Sequence, residues 1–369
     1  MSQLPDPRRY GAPAVNEKLA LLIDRNARGD AAARLELLAW MNQCLEEGRD
    51  REMIDALRQA PSQSAYSALW DLVCRAADRS ASGTDAAITV RLFALPIVLV
   101  TAARSAAVVC GALPDIDEIR TLLERHGAVG ATKNFGLSNA LCSAEALERL
   151  KPGDVYRWSA EWASAPREIA PHAIAASAGR EQVHLRFLVG AGIAPQDAPS
   201  FLETAAHIGA WGLPLTRALV RQLAQPALDV LAMPRPPVGL LKAAHSGRCA
   251  ELEVAFDLFV SNTVRTFRSI VGDPAVAISA HRVNGGGAEL RVSMSSPLDD
   301  TLLEGFRWPL HPLDDLERIT GTVSALLRDC RVSDVRVIGI VLPERLESGT
   351  LFLRRRRRAV CGEALAAPR

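Results

Sequence analysis

Arg91-Leu-Phe-Ala-Leu-Pro-Ile-Val-Leu-Val-Thr-Ala-Ala-Arg104 is the most apolar run of the chain, and its reading decides the fold class. From Leu92 to Ala103 it offers about a dozen apolar residues, against the roughly 20 that a membrane-crossing helix needs. Pro96 interrupts it and arginines bracket it. A short aliphatic and β-branched stretch with charged flanks reads as a buried strand. Ala106 to Ala112 reads as a second strand, and Pro114 and Asp115 then open a helix through Glu124. Strand and helix signals therefore share this region, and a mixed α/β or α+β chain is expected.

Before this region the pattern is helical only. Leu37, Trp40, Met41 and Cys44 share one helical face, and Tyr66, Leu69, Trp70, Val73 and Cys74 share another. Asp50 and Ser62 have the chemistry of N-caps. Residues 1–82 are read as a helical module and 83–225 as a central α/β domain. Within the latter, short strands are expected near Asn134 to Leu141 and in a hairpin from Glu168 to Val189 turning at Ser177-Ala-Gly-Arg180. Two helices follow, near Pro199 to Ala210 and Pro214 to Ala224.

The last third has a clearer pattern. Leu228 to Met233 reads as a strand broken by Pro234, Pro236 and Pro237. A long amphipathic helix places Leu252, Phe256, Phe259, Thr263, Phe267 and Ile270 on one face. Val276 to Val283 and Ala288 to Met294 flank Asn284-Gly-Gly-Gly287, a hairpin signal. A helix from Pro312 to Asp329 has its acidic residues first and Arg328 last, as the helix dipole favours, and Val332 to Leu342 closes the unit as a strand. The order β-α-β-β-α-β over residues 226–345 leads to a ferredoxin-like expectation.

At 369 residues the chain exceeds what one hydrophobic core usually organises, and 49% hydrophobic residues supply ample core material. The four lysines, Lys18, Lys133, Lys151 and Lys242, are far outnumbered by arginines, a bias expected of a GC-rich bacterial genome. Seven cysteines are scattered with no CxxC pair, so neither a disulfide framework nor a structural zinc site is expected. No apolar signal segment stands at the N-terminus, and a cytoplasmic location without membrane contact follows as an expectation.

The familiar chemical motifs fail on detail. Gly127-Ala-Val-Gly-Ala-Thr-Lys133 lacks the glycine that must precede the lysine of a phosphate loop, and Gly190-Ala-Gly192 runs into Pro195 instead of opening a helix. No two of the seven histidines lie four residues apart, so no cofactor or metal is assigned. Strand alternation does bring His281, Glu289 and Arg291 to one polar sheet face. Two acidic pairs, Asp299-Asp300 and Asp314-Asp315, each follow Pro-Leu and mark helix starts; paired carboxylates also suit metal or proton chemistry. Between them, Arg307, Trp308 and His311 mix aromatic and ionisable groups in a segment read as a compact connection.

Residues 346–369 form an Arg-rich tail of net charge +4 on a body of net charge −3. The adjacent Arg354, Arg355, Arg356, Arg357 and Arg358 repel one another, which favours a solvated, flexible segment able to neutralise phosphates. The third-strand sequence Ala288-Glu-Leu-Arg-Val-Ser-Met294 lacks the aromatic residues that stack bases in RNA recognition motifs. The expected role is a non-catalytic interaction or assembly component with a protein partner or a second copy of itself. Nucleic-acid association through the arginine run is the first alternative. An enzyme with its site near residues 297–315 is the second.

Overall fold

A computed structural model describes residues 17–339 except 79, 82–87, 104–106, 110, 163–173, 177–180, 196–197, 199–200, 227, 271, 283–286 and 299–300, together with 352–353 and 364–365. The chain divides into two compact units, Met1–Arg248 and Cys249–Arg369, with the division falling inside one helix.

The first unit opens with four helices, α1 (Glu17–Ala27), α2 (Ala31–Glu46), α3 (Asp50–Arg58) and α4 (Gln63–Ala77). Asp30 caps α2 by accepting the amides of Ala32 and Ala33, and Ser62 caps α4 by accepting that of Ala65. Asp50 instead occupies the first position of α3, and its carboxylate accepts the Gly153 amide at 2.6 Å. It thus caps a helix about a hundred residues away in sequence.

Strand β1 (Ser80–Ala81) leads into β2 (Ile88–Ala103), then β3 (Ala107–Val109), α5 (Ile116–Arg125), β4 (Lys133–Leu137), β5 (Cys142–Ser143), α6 (Ala144–Glu148) and α7 (Pro152–Trp162). After these come β6 (Ile174–Ala176), β7 (Glu181–Pro195), α8 (Phe201–Thr204), α9 (Ile208–Leu223), β8 (Leu228–Pro234) and β9 (Val238–Gly239). Helix α10 (Leu240–Arg268) runs from the first unit into the second.

The centre of the first unit is the antiparallel pair of β2 and β7, in register from Ile88 opposite Pro195 to Ala102 opposite Glu181. One edge of the pair is lined by β1, β9 and β8 against β2, the other by β4 and β5 against β7. Alternation sends Val90, Leu92 and Ala94 to a core shared with α1 to α4, and Phe93, Leu95, Ile97 and Leu99 to a second core with α5 and α9. An antiparallel strand buried on both faces must be apolar at both parities, which is why 92–103 reads as one continuous apolar run. The helices of 1–82 therefore share a continuous core with this sheet.

Pro96 is tolerated in this central strand because of how its backbone points. Its carbonyl accepts the Arg235 amide at 2.8 Å, so the backbone polar atoms of residue 96 face the edge row. That row is interrupted between Pro234 and Val238, and the missing N–H removes no β2–β7 bond. Gly190 sits opposite Phe93, and a Cβ there would stand 2.4 Å from the Phe93 ring. The glycines of Gly190-Ala-Gly192 thus make room for side chains inside a strand. Among the described residues, the strands of the expected 168–189 hairpin do not pair with each other. Strand β6 pairs with β3, while β7 finds its match in the equally long β2. The turn expected at 177–180 lies outside the described residues.

In the second unit α10 is followed by β10 (Ala275–Arg282), β11 (Ala288–Ser295), β12 (Leu302–Leu310), α11 (Leu316–Asp329) and β13 (Val335–Gly339). Strands β10, β11 and β12 form an antiparallel meander, and β13 returns parallel to β10, in the sheet order β12-β11-β10-β13. This corrects the ferredoxin-like expectation. The strand at Leu228–Pro234 pairs with β2 in the first sheet, and the compact connection expected at 304–311 is largely a strand. Phe306, Trp308 and Leu310 alternate along β12 with Gly305, Arg307 and Pro309 and pack on the core that α10 and α11 cover. Among the described residues, no helix is long and apolar enough to cross a membrane.

Two glycine substitutions test this packing with opposite signs. Gly190→Ala should cost about 1–3 kcal/mol, since its Cβ also meets the Gly136 carbonyl at 2.9 Å. Gly321→Ala, in the middle of α11 with nothing within 4 Å, should gain about 0.5–1 kcal/mol. Urea unfolding of both variants checks the pair; equal behaviour would contradict the placement of Gly190 against Phe93.

Candidate functional site

The second sheet has two chemically different faces. On one, Val276, Ile278, Ala280, Leu290, Val292, Met294 and Trp308 meet Phe256, Val260 and Val264 of α10 and Ile319, Val323 and Leu327 of α11. The Phe256 ring stands edge-on to Phe306, with centroids 5.1 Å apart. Because the strand period is two, the intervening residues define the other face: Ser279 and His281 of β10, Glu289, Arg291 and Ser293 of β11, and Arg307 of β12. Ser279, Arg291 and Arg307 form one cross-strand row, with His281 and Glu289 in the next.

The sequence reading brings His281, Glu289 and Arg291 together, and the structure places them on this face. Their burial is the difference, because a polar sheet face is ordinarily solvated. Arg291 is only 2% exposed and Glu289 7%. A buried guanidinium must find a counter-charge, and Arg291 Nε donates to Glu289 Oε1 at 2.5 Å. His281 is half-buried, with Nε2 2.8 Å from Ser279 Oγ. Arg307 is exposed on the edge strand, and on the opposite edge Arg336 of β13, paired with Ala277, is exposed on the same face.

The other candidates separate. Trp308 points to the apolar side and is 1% exposed, so it does not join Arg307. Asp299, Asp300 and Arg354 to Arg358 lie outside the described residues. Of the second acidic pair, Asp315 caps α11 by accepting the amides of Glu317 and Arg318, a structural use of its charge. Asp314 is buried; its Oδ2 accepts the His311 amide at 2.7 Å, and its Oδ1 accepts from Cys249 Sγ at 3.6 Å. His311 is exposed, and its Nδ1 accepts the Leu313 amide, tightening the turn before α11.

Cys249 entered no candidate set in the sequence, yet a signal was present. His245 and Cys249 are four residues apart on a helix, a spacing that histidine positions alone do not show. Burial pushes Cys44 and Cys142 up to about 11 and raises buried Cys74 as well, so these three remain inert packing groups.

In the first unit His184 is half-buried beside Thr101, with Nε2 3.1 Å from Oγ1. Desolvation lowers its pKa, and neighbouring Arg186 lowers it further.

No family model, curated protein or solved structure matches the chain.

Two expected outcomes follow from these groups. Glu289→Gln or Arg291→Met alone should destabilise the chain by about 3–5 kcal/mol, because each leaves a buried group without its counterpart. The double variant Glu289→Leu with Arg291→Met should recover most of the loss by urea denaturation; additive losses would show that the pair is not coupled. For His184 the folded pKa lies below the unfolded value, so its contribution is complete above about pH 6.5 and declines as pH falls through that value toward the folded pKa. Replacing His184 with Gln should flatten the stability profile across that window; an unchanged slope would place the acid sensitivity elsewhere.

Proposed function

We propose that this chain is a non-catalytic interaction component whose C-terminal sheet engages an acidic segment of a protein partner. The observation that supports this is the exposed arginine on each edge strand of one sheet face, Arg307 on β12 and Arg336 on β13. Between them Arg291 is buried and paired with Glu289, so the charges that this face presents at its surface stand on its two edge strands. Fixed cations on a rigid sheet favour anionic partners, and they act mainly on the rate and selectivity of association.

A catalytic reading draws less support from the described residues. Asp314 and Asp315 hold a turn and a helix start, and Ser279 bonds His281. These are structural uses of the groups that acid–base chemistry would need free.

The test uses the full chain and a fluorescent polyglutamate peptide, read by anisotropy at two salt concentrations. Salt-sensitive binding, weakened about tenfold or more by Arg307→Glu with Arg336→Glu, is the expected result. Binding that ignores both reversals overturns the proposal. The same assay with single-stranded RNA, on chains with and without residues 350–369, addresses the arginine run. Tight RNA binding that disappears with the tail would replace an acidic protein partner with nucleic acid.

A further inference from the structure

The sheet of the second unit ends in two unlike edges. Among the described residues, its strand order leaves β12 and β13 outermost. Strand β12 carries Gly305 and Pro309, and proline on an edge strand stops further pairing. Strand β13, Val335-Arg-Val-Ile-Gly339, has neither proline nor lysine. One hydrogen bond sets its backbone phase: the Asp334 carbonyl accepts the Val276 amide at 2.9 Å, so residues 334 and 336 turn their backbone groups toward β10. Val335 and Val337 therefore direct their N–H and C=O groups away from β10, along the outer edge. The side chains follow the strand period. Arg336, beside Ala277, stands exposed on the polar face. Val337, beside the core residue Ile278, lies on the helix side and is still 41% exposed.

We infer that the outer edge of β13 takes up the acidic partner segment as an added strand, which rests on the acidic partner proposed above and names how it binds. Main-chain bonds to Val335 and Val337 hold the segment, and its alternate side chains are read on the two faces. A carboxylate at the position facing Arg336 meets the guanidinium on the polar face. Apolar residues on either side of it cover Val337 and the half-buried Val335 on the other. The partner segment is therefore one in which acidic and apolar residues alternate. A segment acidic at every position would instead desolvate carboxylates against the exposed valine, which is unfavourable. Three strand spacings of about 4.8 Å, about 14 Å in all, separate Arg307 on β12 from Arg336. Arg336 thus touches the segment, while Arg307 attracts it at longer range and is screened more strongly by salt.

The experiment uses the full chain and fluorescent peptides of equal length. One alternates glutamate and valine, another holds the same residues in separate blocks, and a third is the alternating peptide N-methylated along its backbone. Anisotropy should show the alternating peptide binding about tenfold or more tighter than the others, because N-methylation removes the donors an added strand needs. Arg336→Glu should weaken that binding about tenfold, and Arg307→Glu less. Binding should also slow hydrogen exchange at the Val335 and Val337 amides, a readout that needs no variant. Equal affinity for the alternating, blocked and N-methylated peptides, with those amides exchanging as before, overturns the added strand and leaves the acidic partner standing. Failure of every acidic peptide, polyglutamate included, overturns the acidic partner and the added strand with it. Light scattering that finds the chain alone to be a dimer, with both amides already protected, assigns the edge to a second copy and overturns the inference.

Discussion

The antiparallel register of β2 on β7 is the constraint on which the first unit depends. It fixes where every flanking strand can attach, since β1, β8 and β9 use the free edge of β2 while β4 and β5 use that of β7. It also sets which side chains face which helical layer, and a slip of one residue would exchange the two sets. Ordinary antiparallel sheets tolerate one wet face. This one does not, because Leu92 and Phe93, adjacent in sequence, each belong to a different buried core. Close approach at Gly190 and Gly247, where a Cβ would meet Phe93 and Phe187 respectively, shows how tightly the two layers clamp the sheet.

Much of the local structure was legible because single residues carry it. Ser62 caps α4 through its own side chain, and the apolar spacing of Leu252, Phe256 and Phe259 belongs to α10. Pairing between distant strands was not legible. Nothing within Leu228–Pro234 says that its partner is β2, about 130 residues earlier, since an isolated strand pattern is compatible with any sheet. Strand β12 was missed for a local reason. Gly305 and Pro309 are breaker signals, but both fall on the face opposite Phe306 and Trp308, at the sheet edge where proline is tolerated.

The candidate residues divide along the same line. Alternation was enough to group His281, Glu289 and Arg291, because a strand's period is fixed by its backbone. Their burial was not legible, because it depends on what the rest of the chain lays over the face. Asp314 and Cys249 are separated by 65 positions and meet only through the packing of the second unit.

The central pairing also has a consequence in time. A ribosome releases β2 about a hundred residues before the end of β7, so at about 5–20 residues per second the strand waits on the order of 5–20 s for its partner. Throughout that interval an unpaired segment, apolar on both sides, is present on the nascent chain beside α1 to α4, which can cover only one of its faces. Of the helices on the other face, α5 is synthesised before β7 and α9 after it. The first unit can therefore complete its sheet only late in synthesis, and the helical N-terminus is available to shelter half of the strand until then.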